Sequence, residues 1–228
     1  MNTAVMLPVY PKYCENIIMG WKTVEVRKTF PAKLKVPFKC FLYCTKSKER
    51  FSVNHNVLSC DDLYRLPNGK IKYGCSFDLI VSYDKYDETN FLNGKVIGEF
   101  ICDGVTESVA DGEGNYDVDE DTLRKSFLTI DEIKRYGQGH KLYFWHISAL
   151  QVYEKPENIR NYFKPCLIPE APYCPSCAKG YECAANKEEW KYPTMTEWVC
   201  LNTLKHAPQS WCYVEDKAHP TCAAFNPS

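Results

Sequence analysis

Short segments with the pattern of β-strands recur along the chain and restrict the folds that it can adopt. Residues 23–28 alternate between apolar and polar side chains, which predicts a strand with one buried and one polar face. Further strands are predicted at 38–45, 94–102, 142–152 and 209–215. The pair Asn68-Gly69 is a hairpin signal and predicts that 64–66 and 70–73 form a hairpin.

Helix signals are fewer and shorter. A helix is predicted at 11–19, because a proline opens its first turn and Gly20 follows its last turn. A second helix begins at the capping box Thr129-x-x-Glu132 and ends at Gly137. Several strands with few short helices indicate the α+β class, mainly β. We therefore expect a small, strongly curved sheet or barrel flanked by short helices.

Composition places the chain among ordinary globular proteins. It has 228 residues, of which 45% are hydrophobic and 25% charged, which excludes disordered, collagen-like and coiled-coil proteins. No apolar run approaches the roughly 20 residues of a membrane-spanning helix, so we expect no membrane association. The first ten residues lack a basic start and contain Pro8, so they make a poor signal peptide. Thirteen cysteines without a secretion signal predict a reducing cytoplasm.

Charge is distributed unevenly along the chain, although the formal net charge is only −1. Residues 1–50 contain ten Lys and Arg against three acids, a net of +7. Residues 84–121 contain twelve acids against two lysines, a net of −10. The basic segment could face a polyanion such as nucleic acid. Equally, the two segments could neutralise each other on the folded surface, because charges close in sequence need not form a patch.

The most informative segment runs from Gly20 to Lys28, where a helix is predicted to end and a strand to begin at once. Glu25 and Arg27 then project from the same face, and Lys22 in the turn can reach that face. Two cations and one carboxylate can hold a base edge and a phosphate, or can perturb a lysine enough for base chemistry. The alternative is an exposed ion pair on a strand, which contributes little.

This segment resembles a known family. Gly20, Lys22, Glu25 and Arg27 match the pattern Gly-x-Lys-x-x-Glu-x-Arg of ASCH domains, which belong to the PUA-like superfamily. Four other blocks also resemble bacterial and phage members of the family, namely 11–15, 94–100, 143–148 and 208–215. The resemblance covers roughly 5–155 and 205–216.

The resemblance implies a PUA-like β-barrel with a cleft lined by Lys22, Glu25 and Arg27. The implied partner is nucleic acid, RNA before DNA, or a modified nucleotide, bound in a regulatory role. A different class of function is a small hydrolase acting on RNA or on a modified nucleoside, with Lys22 and Glu25 as catalytic groups. One enzyme of the family is an amidohydrolase that removes the acetyl group from 4-acetylcytidine. Its motif has a catalytic threonine at the position of Glu25, so this reaction is not expected here. A third class is a phage factor that binds a host protein.

Further residues are candidates for ligand binding around this motif. Thr23 and Lys28 flank it within the strand. Trp145 and His146 are adjacent in a strand and point to opposite faces, so one can line the cleft while the other is structural. Gln209 and Ser210 precede the last strand. They could close the pocket with polar groups or simply cap the barrel.

The cysteines predict a separate unit. The main domain is expected at 1–160 plus 205–216, an insertion at 161–204 and a tail at 217–228. Five thiols of the insertion are candidate metal ligands: Cys166, Cys174, Cys177, Cys183 and Cys200. Their spacing and a segment poor in apolar runs predict a structural zinc knuckle that uses four of them. A 4Fe–4S cluster is the alternative metal centre, and unliganded thiols are the third possibility.

Overall fold

The structure, a computed structural model, describes residues 3–48, 50–54, 63–65, 71–73, 76–80, 91–165 and 203–216. Three α-helices lie in this part of the chain: α1 (Pro11–Ile18), α2 (Glu120–Ser126) and α3 (Ile130–Gly137). Its strands are β1 (Thr3–Val9), β2 (Val24–Arg27), β3 (Phe38–Cys44), β4 (Arg50–Asn54), β5 (Leu63–Arg65), β6 (Ile71–Tyr73), β7 (Ser76–Ile80), β8 (Lys95–Ser108), β9 (Leu142–Asn158) and β10 (Cys212–Glu215). The protein is therefore α+β and mainly β, as predicted.

Six strands form the main sheet in the order β10-β1-β3-β8-β9-β2. β1 and β3 are parallel, and the other neighbours are antiparallel. Two further pairs, β4 with β7 and β5 with β6, are antiparallel ribbons. The second ribbon confirms the predicted hairpin, although its turn at 66–70 lies outside the described residues. β10 and β2 are the ends of the main sheet, and no ladder joins them in the described chain, so the sheet is open where a closed barrel was expected.

The two longest strands bend the sheet. The pairing of β8 with β9 shifts register at three places, and Ala149 in β9 has a left-handed backbone with φ of 46°. Such bulges increase the local twist and bend the strand that carries them. Both strands are longer than the predicted segments 94–102 and 142–152, because the amphipathic pattern breaks at these bulges. The bending brings the edge strand β2 towards β1.

The apolar core occupies both faces of the sheet. The largest cluster packs α1 against the inner face, which includes residues of β1, β3, β8 and β9. A second cluster lies on the outer face of β1, β3 and β10. A third packs α2 and α3 against the outer face of β2 and β9. Each strand near the centre of the sheet is therefore buried on both sides.

Burial on both faces explains the strand that the sequence pattern did not reveal. In β1, Ala4 and Met6 belong to the outer cluster, whereas Val5 and Leu7 belong to the inner cluster. A strand that is apolar on both faces reads as a continuous run without alternation. β2 also departs from the prediction, because its polar face is buried as well as its apolar face.

Both predicted helices are confirmed. α1 is followed by Gly20 with φ of 77°, and the capping box of Thr129 and Glu132 opens α3. α2 was not predicted. It follows the acidic loop, and the Asp119 side chain caps it by accepting from the Thr122 N–H. None of the described helices is long and apolar enough to cross a membrane.

The described cysteines are free thiols that serve the core, as predicted for those outside the insertion. Four of them are fully buried within the inner cluster: Cys14, Cys40, Cys44 and Cys102. Burial raises the pKa of the Cys40 thiol well above its ordinary value and that of Cys102 to about 12. Cys40 and Cys102 are consequently protonated and poor nucleophiles at neutral pH.

The cysteines of the predicted knuckle lie outside the described residues, which stop at 165 and resume at 203. At the base of this segment, Phe163 and Thr203 form an antiparallel bridge. The Leu204 N–H also donates to the Tyr162 carbonyl at 2.8 Å. Within the described ranges, no group of three or more His, Cys, Asp or Glu side chains could hold a metal. Zinc in this segment remains a prediction.

That prediction can be checked by elemental analysis of the purified protein, which is expected to contain about one zinc per chain. The double substitution Cys174→Ser/Cys177→Ser should release the metal, because it removes the CxxC pair. Cys212→Ser is the control, since this thiol lies in β10. Iron in place of zinc would favour the cluster, and absence of metal would contradict both predictions.

A second prediction concerns Gly98, at a register shift between β8 and β9. A Cβ at this position would lie 2.5 Å from the Gln151 carbonyl oxygen, so the backbones would have to separate. We expect Gly98→Ala to lower the free energy of unfolding by about 1–3 kcal/mol, measured by urea denaturation. Gly112→Ala is the matched control, because the described structure places no atom within 4 Å of that Cβ. Equal stability of the two variants would show that the close approach is unimportant.

Candidate functional site

The turn between α1 and β2 positions the first residue of the motif. Gly20 adopts a left-handed conformation that few other residues tolerate. The chain therefore reverses, and the N–H groups of Trp21 and Lys22 both donate to the Asn16 carbonyl, at 2.9 and 3.0 Å. Lys22 is thus fixed at the entry to β2, directly beside the end of α1.

Lys22 is almost completely buried, with 2% of its surface exposed. Its Nζ donates to the Ser126 carbonyl of α2 at 2.7 Å and lies 3.3 Å from Glu25 Oε2. The same Nζ lies 5.5 Å from the centre of the Tyr13 ring. Burial lowers the pKa of Lys22, and the Glu25 carboxylate offsets part of this effect.

Arg27 approaches the same carboxylate from the other side. Its Nη2 lies 2.9 Å from Glu25 Oε1 and donates to the Pro8 carbonyl at 2.6 Å. Its Nη1 donates to the Ser210 carbonyl at 3.4 Å. Pro8 lies in β1 and Ser210 precedes β10, so this side chain links the two edges of the open sheet.

The structure brings the three motif residues together, as the spacing predicted, and shows how they are enclosed. We call Lys22, Glu25 and Arg27 the ion network. Glu25 is 6% exposed and Arg27 9%, so the network lies beneath the surface and does not form an open cleft. Two cations share one carboxylate within the network, and the charge of Glu132 at the start of α3 also acts on Lys22.

The residues that flank the motif lie nearer the surface. The Thr23 N–H donates to the Lys125 carbonyl, and the Thr23 carbonyl accepts from the Ile147 N–H, so this backbone joins α2 to β9. Lys28 is half-buried. Its Nζ lies 5.3 Å from the centre of the Tyr136 ring and 3.4 Å from Gln138 Oε1.

Trp145 and His146 point to opposite faces of β9, as predicted. Trp145 is fully buried on the inner face, where its ring packs edge-on against Phe38 at 5.6 Å. The Trp145 Nε1–H has no hydrogen-bond partner in the described structure. His146 is half-buried beside Gly104 on the outer face, and its Nε2 likewise has no partner there. Neither ring is available as an exposed surface for stacking.

The segment before β10 covers one end of the inner face. Gln209 is exposed and Ser210 is half-buried, and the Ser210 carbonyl is the acceptor for Arg27. Trp211 follows, with its ring centre 6.4 Å from that of Trp145. Its Nε1–H donates to Thr29 Oγ1 at 2.8 Å. This segment is therefore structural as well as close to the ion network.

Aromatic and basic residues lie near the ion network at two places, and sequence reasoning found only one of these residues. We call this set the tyrosine–lysine rim: Tyr10, Lys12, Tyr13, Lys28 and Tyr136. On the α1 side, Lys12 Nζ lies 5.7 Å from the Tyr13 ring centre, and Tyr13 adjoins Lys22. Tyr10 immediately precedes α1 and is 62% exposed.

The other part of the rim is on α3. Burial raises the pKa of Tyr136, and the charges of Arg27 and Glu25 also act on its hydroxyl. Tyr136 is nevertheless 40% exposed. The sequence shows aromatic residues close to lysines in both predicted helices. It does not show that these residues converge in space, because α1 and α3 are more than a hundred residues apart.

The remaining charges partly neutralise one another. Lys22 and Arg27 are buried, and Lys39 Nζ lies 3.1 Å from Glu99 and 2.9 Å from Asp216. On the acidic segment, Asp121 pairs with two basic neighbours in α2. Three basic residues of the N-terminal third are therefore buried or paired with acids.

Comparisons with known proteins give the following result. No family model matches the sequence, and no curated protein matches it. The chain is similar to a crystal structure of ASCH from Zymomonas mobilis, with 12% identity and a TM-score of 0.46 over 97% of this chain and 94% of that one. It is also similar to a tyrosine-to-phenylalanine mutant of that protein, with 16% identity and a TM-score of 0.38 over 68% and 76% of the chains. A serine-to-alanine mutant of the same protein is similar at 17% identity, with a TM-score of 0.38 over 68% of this chain and 73% of that one.

All three structures are described as ASCH, the family whose motif Gly-x-Lys-x-x-Glu-x-Arg this sequence resembles. At such identities and TM-scores the similarity gives no information on ligand or reaction. What the molecule does must be argued from its own residues.

The ion network predicts a large effect of removing its single carboxylate. Glu25→Gln leaves two buried cations without a counter-charge, and we expect a loss of about 3–5 kcal/mol in the free energy of unfolding. Urea denaturation followed by circular dichroism measures this loss. Glu107→Gln is the matched control, because Glu107 pairs with Lys141 at the surface and should cost less than about 1 kcal/mol. Similar small effects of both substitutions would contradict the structural role of the network.

Proposed function

We propose that the protein binds nucleic acid, RNA in the first instance, through the tyrosine–lysine rim. The observation that carries this proposal is the placement of Lys12 over Tyr13 and Lys28 over Tyr136, at two places near the buried ion network. Each pair offers a cation and an aromatic ring at one point of the surface.

The two kinds of side chain suit the two parts of a nucleic acid. Unpaired bases stack on exposed aromatic rings, and such stacking is largely independent of sequence. Tyr10 and Tyr136 expose enough of their rings for this purpose. Lysine ammonium groups contact phosphates and release the counterions that these phosphates hold. A single-stranded segment crossing the rim could use both contacts.

The ion network supports this surface from below. Its hydrogen bonds fix Lys22, whose Nζ lies 5.5 Å from the centre of the Tyr13 ring, and its charges act on Tyr136. Glu132 takes part in the capping box of α3, and its negative charge acts on both Lys12 and Lys22.

The geometry favours binding over hydrolysis. A lysine or glutamate that transfers protons must reach the substrate. Lys22 and Glu25 are buried, and their charged atoms contact each other, Arg27 and the backbone. In the proposed role they hold the surface in shape, and a modified nucleotide within an RNA strand is a compatible ligand.

Fluorescence anisotropy with single- and double-stranded RNA and DNA, at low and high salt, tests the proposal. We expect salt-sensitive binding that is strongest for single strands. Lys12→Ala and Lys28→Ala should each weaken binding and reduce the slope of log affinity against log salt by about one. Tyr136→Leu should weaken binding without changing this slope, because it removes a stacking ring and no charge.

Lys39→Ala is the matched control for these substitutions. Lys39 Nζ also lies over an aromatic ring, that of Phe41 at 5.6 Å, but it pairs with two acids elsewhere on the sheet. Its removal changes the net charge equally and should leave the slope unchanged. Absence of binding to every polymer would refute the proposal. Equal losses in Lys39→Ala and the rim variants would reduce the interaction to general electrostatic attraction.

A further inference from the structure

We infer that the inner face of the sheet contains a binding site for an oxyanion, a phosphate or a carboxylate, at the Arg27 Nε–H and the Trp145 Nε1–H. Both groups are buried hydrogen-bond donors that have no acceptor in the described structure. Buried donors in native proteins are nearly always paired. Two unpaired donors in one region therefore indicate an acceptor that binds there.

The register of the sheet places the two donors on one face. Glu25 is opposite Trp145 across the β2–β9 ladder, and Arg27 is opposite Tyr143. Residues directly opposite each other, or two apart on one strand, project to the same side. Arg27 and Trp145 are thus diagonal neighbours, at a separation that long side chains can bridge.

Contacts with the segment before β10 are a second observation that places the two donors near each other. Arg27 Nη1 donates to the Ser210 carbonyl, and the next ring, that of Trp211, packs beside Trp145. The guanidinium contacts Ser210 and the indole contacts Trp211, so the two side chains adjoin consecutive residues of this segment. The register and these contacts are independent observations, and both bring the donors together.

Charge specifies the kind of acceptor. The ion network holds two cations against one carboxylate in a region where water does not screen them. An anion with two or more oxygens can accept from both donors and also pairs with the charge of the Arg27 guanidinium, which a neutral acceptor does not. Hydrogen bonds to such a charged acceptor are also the stronger ones.

Aromatic rings form the surroundings of the donors. Phe30 packs against Trp145 at 6.1 Å and against Tyr143 at 5.9 Å, and Trp211 lies on another side. Phe30 and Trp211 are only half-buried, and the bond between Trp211 and Thr29 lies at the surface. A small anion would enter between these two segments. Apolar walls strengthen the attraction between the anion and Arg27 by excluding water.

This inference goes beyond the proposed function and does not depend on it. Nucleic acid would contact the rim, whereas a free oxyanion suffices to fill the inner site. A terminal phosphate of a bound strand would connect the two. Small anions therefore test the inner site by itself, whether or not the protein binds RNA.

The test is a thermal unfolding titration of the full-length protein with sodium phosphate and, separately, sodium acetate, with sodium chloride at matched ionic strength as reference. We expect one or both oxyanions to raise the unfolding temperature in a saturable manner. Trp145→Phe keeps an aromatic ring but removes the donor, and it should weaken the apparent affinity about tenfold. Trp211→Phe is the matched control, because its indole N–H already bonds to Thr29. The anion that saturates identifies the ligand as a phosphate or a carboxylate.

Phosphate also stabilises proteins by exclusion from their surface, and the variants separate this effect from binding. Exclusion acts equally on wild type and on Trp145→Phe. An equal response of the two proteins, or no response beyond that to chloride, would overturn the inference and leave a bridging water as the acceptor. If Trp145→Phe does not fold, the indole N–H resonances of the wild-type protein decide. The inference requires a saturable shift of one of them with the anion, and unchanged resonances overturn it.

Discussion

The Glu25 carboxylate is the interaction on which the architecture depends. Burying an ion costs several kcal/mol, and only close counter-charges and hydrogen bonds offset this. Lys22 and Arg27 provide them, and in doing so Lys22 reaches α2 while Arg27 reaches β1 and the segment before β10. An edge strand without a neighbour would otherwise present an unpaired side. Here, side-chain contacts centred on one carboxylate connect the two edges where no backbone ladder is described.

This arrangement relates the interior to the surface. The network is too deeply buried to contact a large ligand, yet Lys22 Nζ lies 5.5 Å from the centre of the Tyr13 ring, and Arg27 carries one of the two unpaired donors. The two proposed ligands, a polymer at the rim and a small oxyanion at the inner face, would therefore both lie near the cations of this network.

Sequence reasoning was successful where information was local. The strand at 23–28, the capping box of Thr129 and the convergence of three motif residues all follow from spacing along one element. It was incomplete where the outcome depended on distant parts of the chain. Motif spacing cannot show that α2 and β1 cover Lys22 and Arg27. Nor can it place Tyr136 beside Lys28, because packing of α3 decides that contact. β1 was missed because its burial on both faces removes alternation.

The bridge between Phe163 and Thr203 has a consequence for the evolution of the chain. It holds the two ends of the intervening segment at hydrogen-bonding distance on the described part of the fold. The entropy of closing a flexible loop rises only with the logarithm of its length, by about 0.6 kcal/mol for each doubling. Insertions, deletions or a substituted module at this point would therefore cost the host fold little. The cysteine-rich segment occupies a position at which a new activity can be acquired while the ion network stays unchanged.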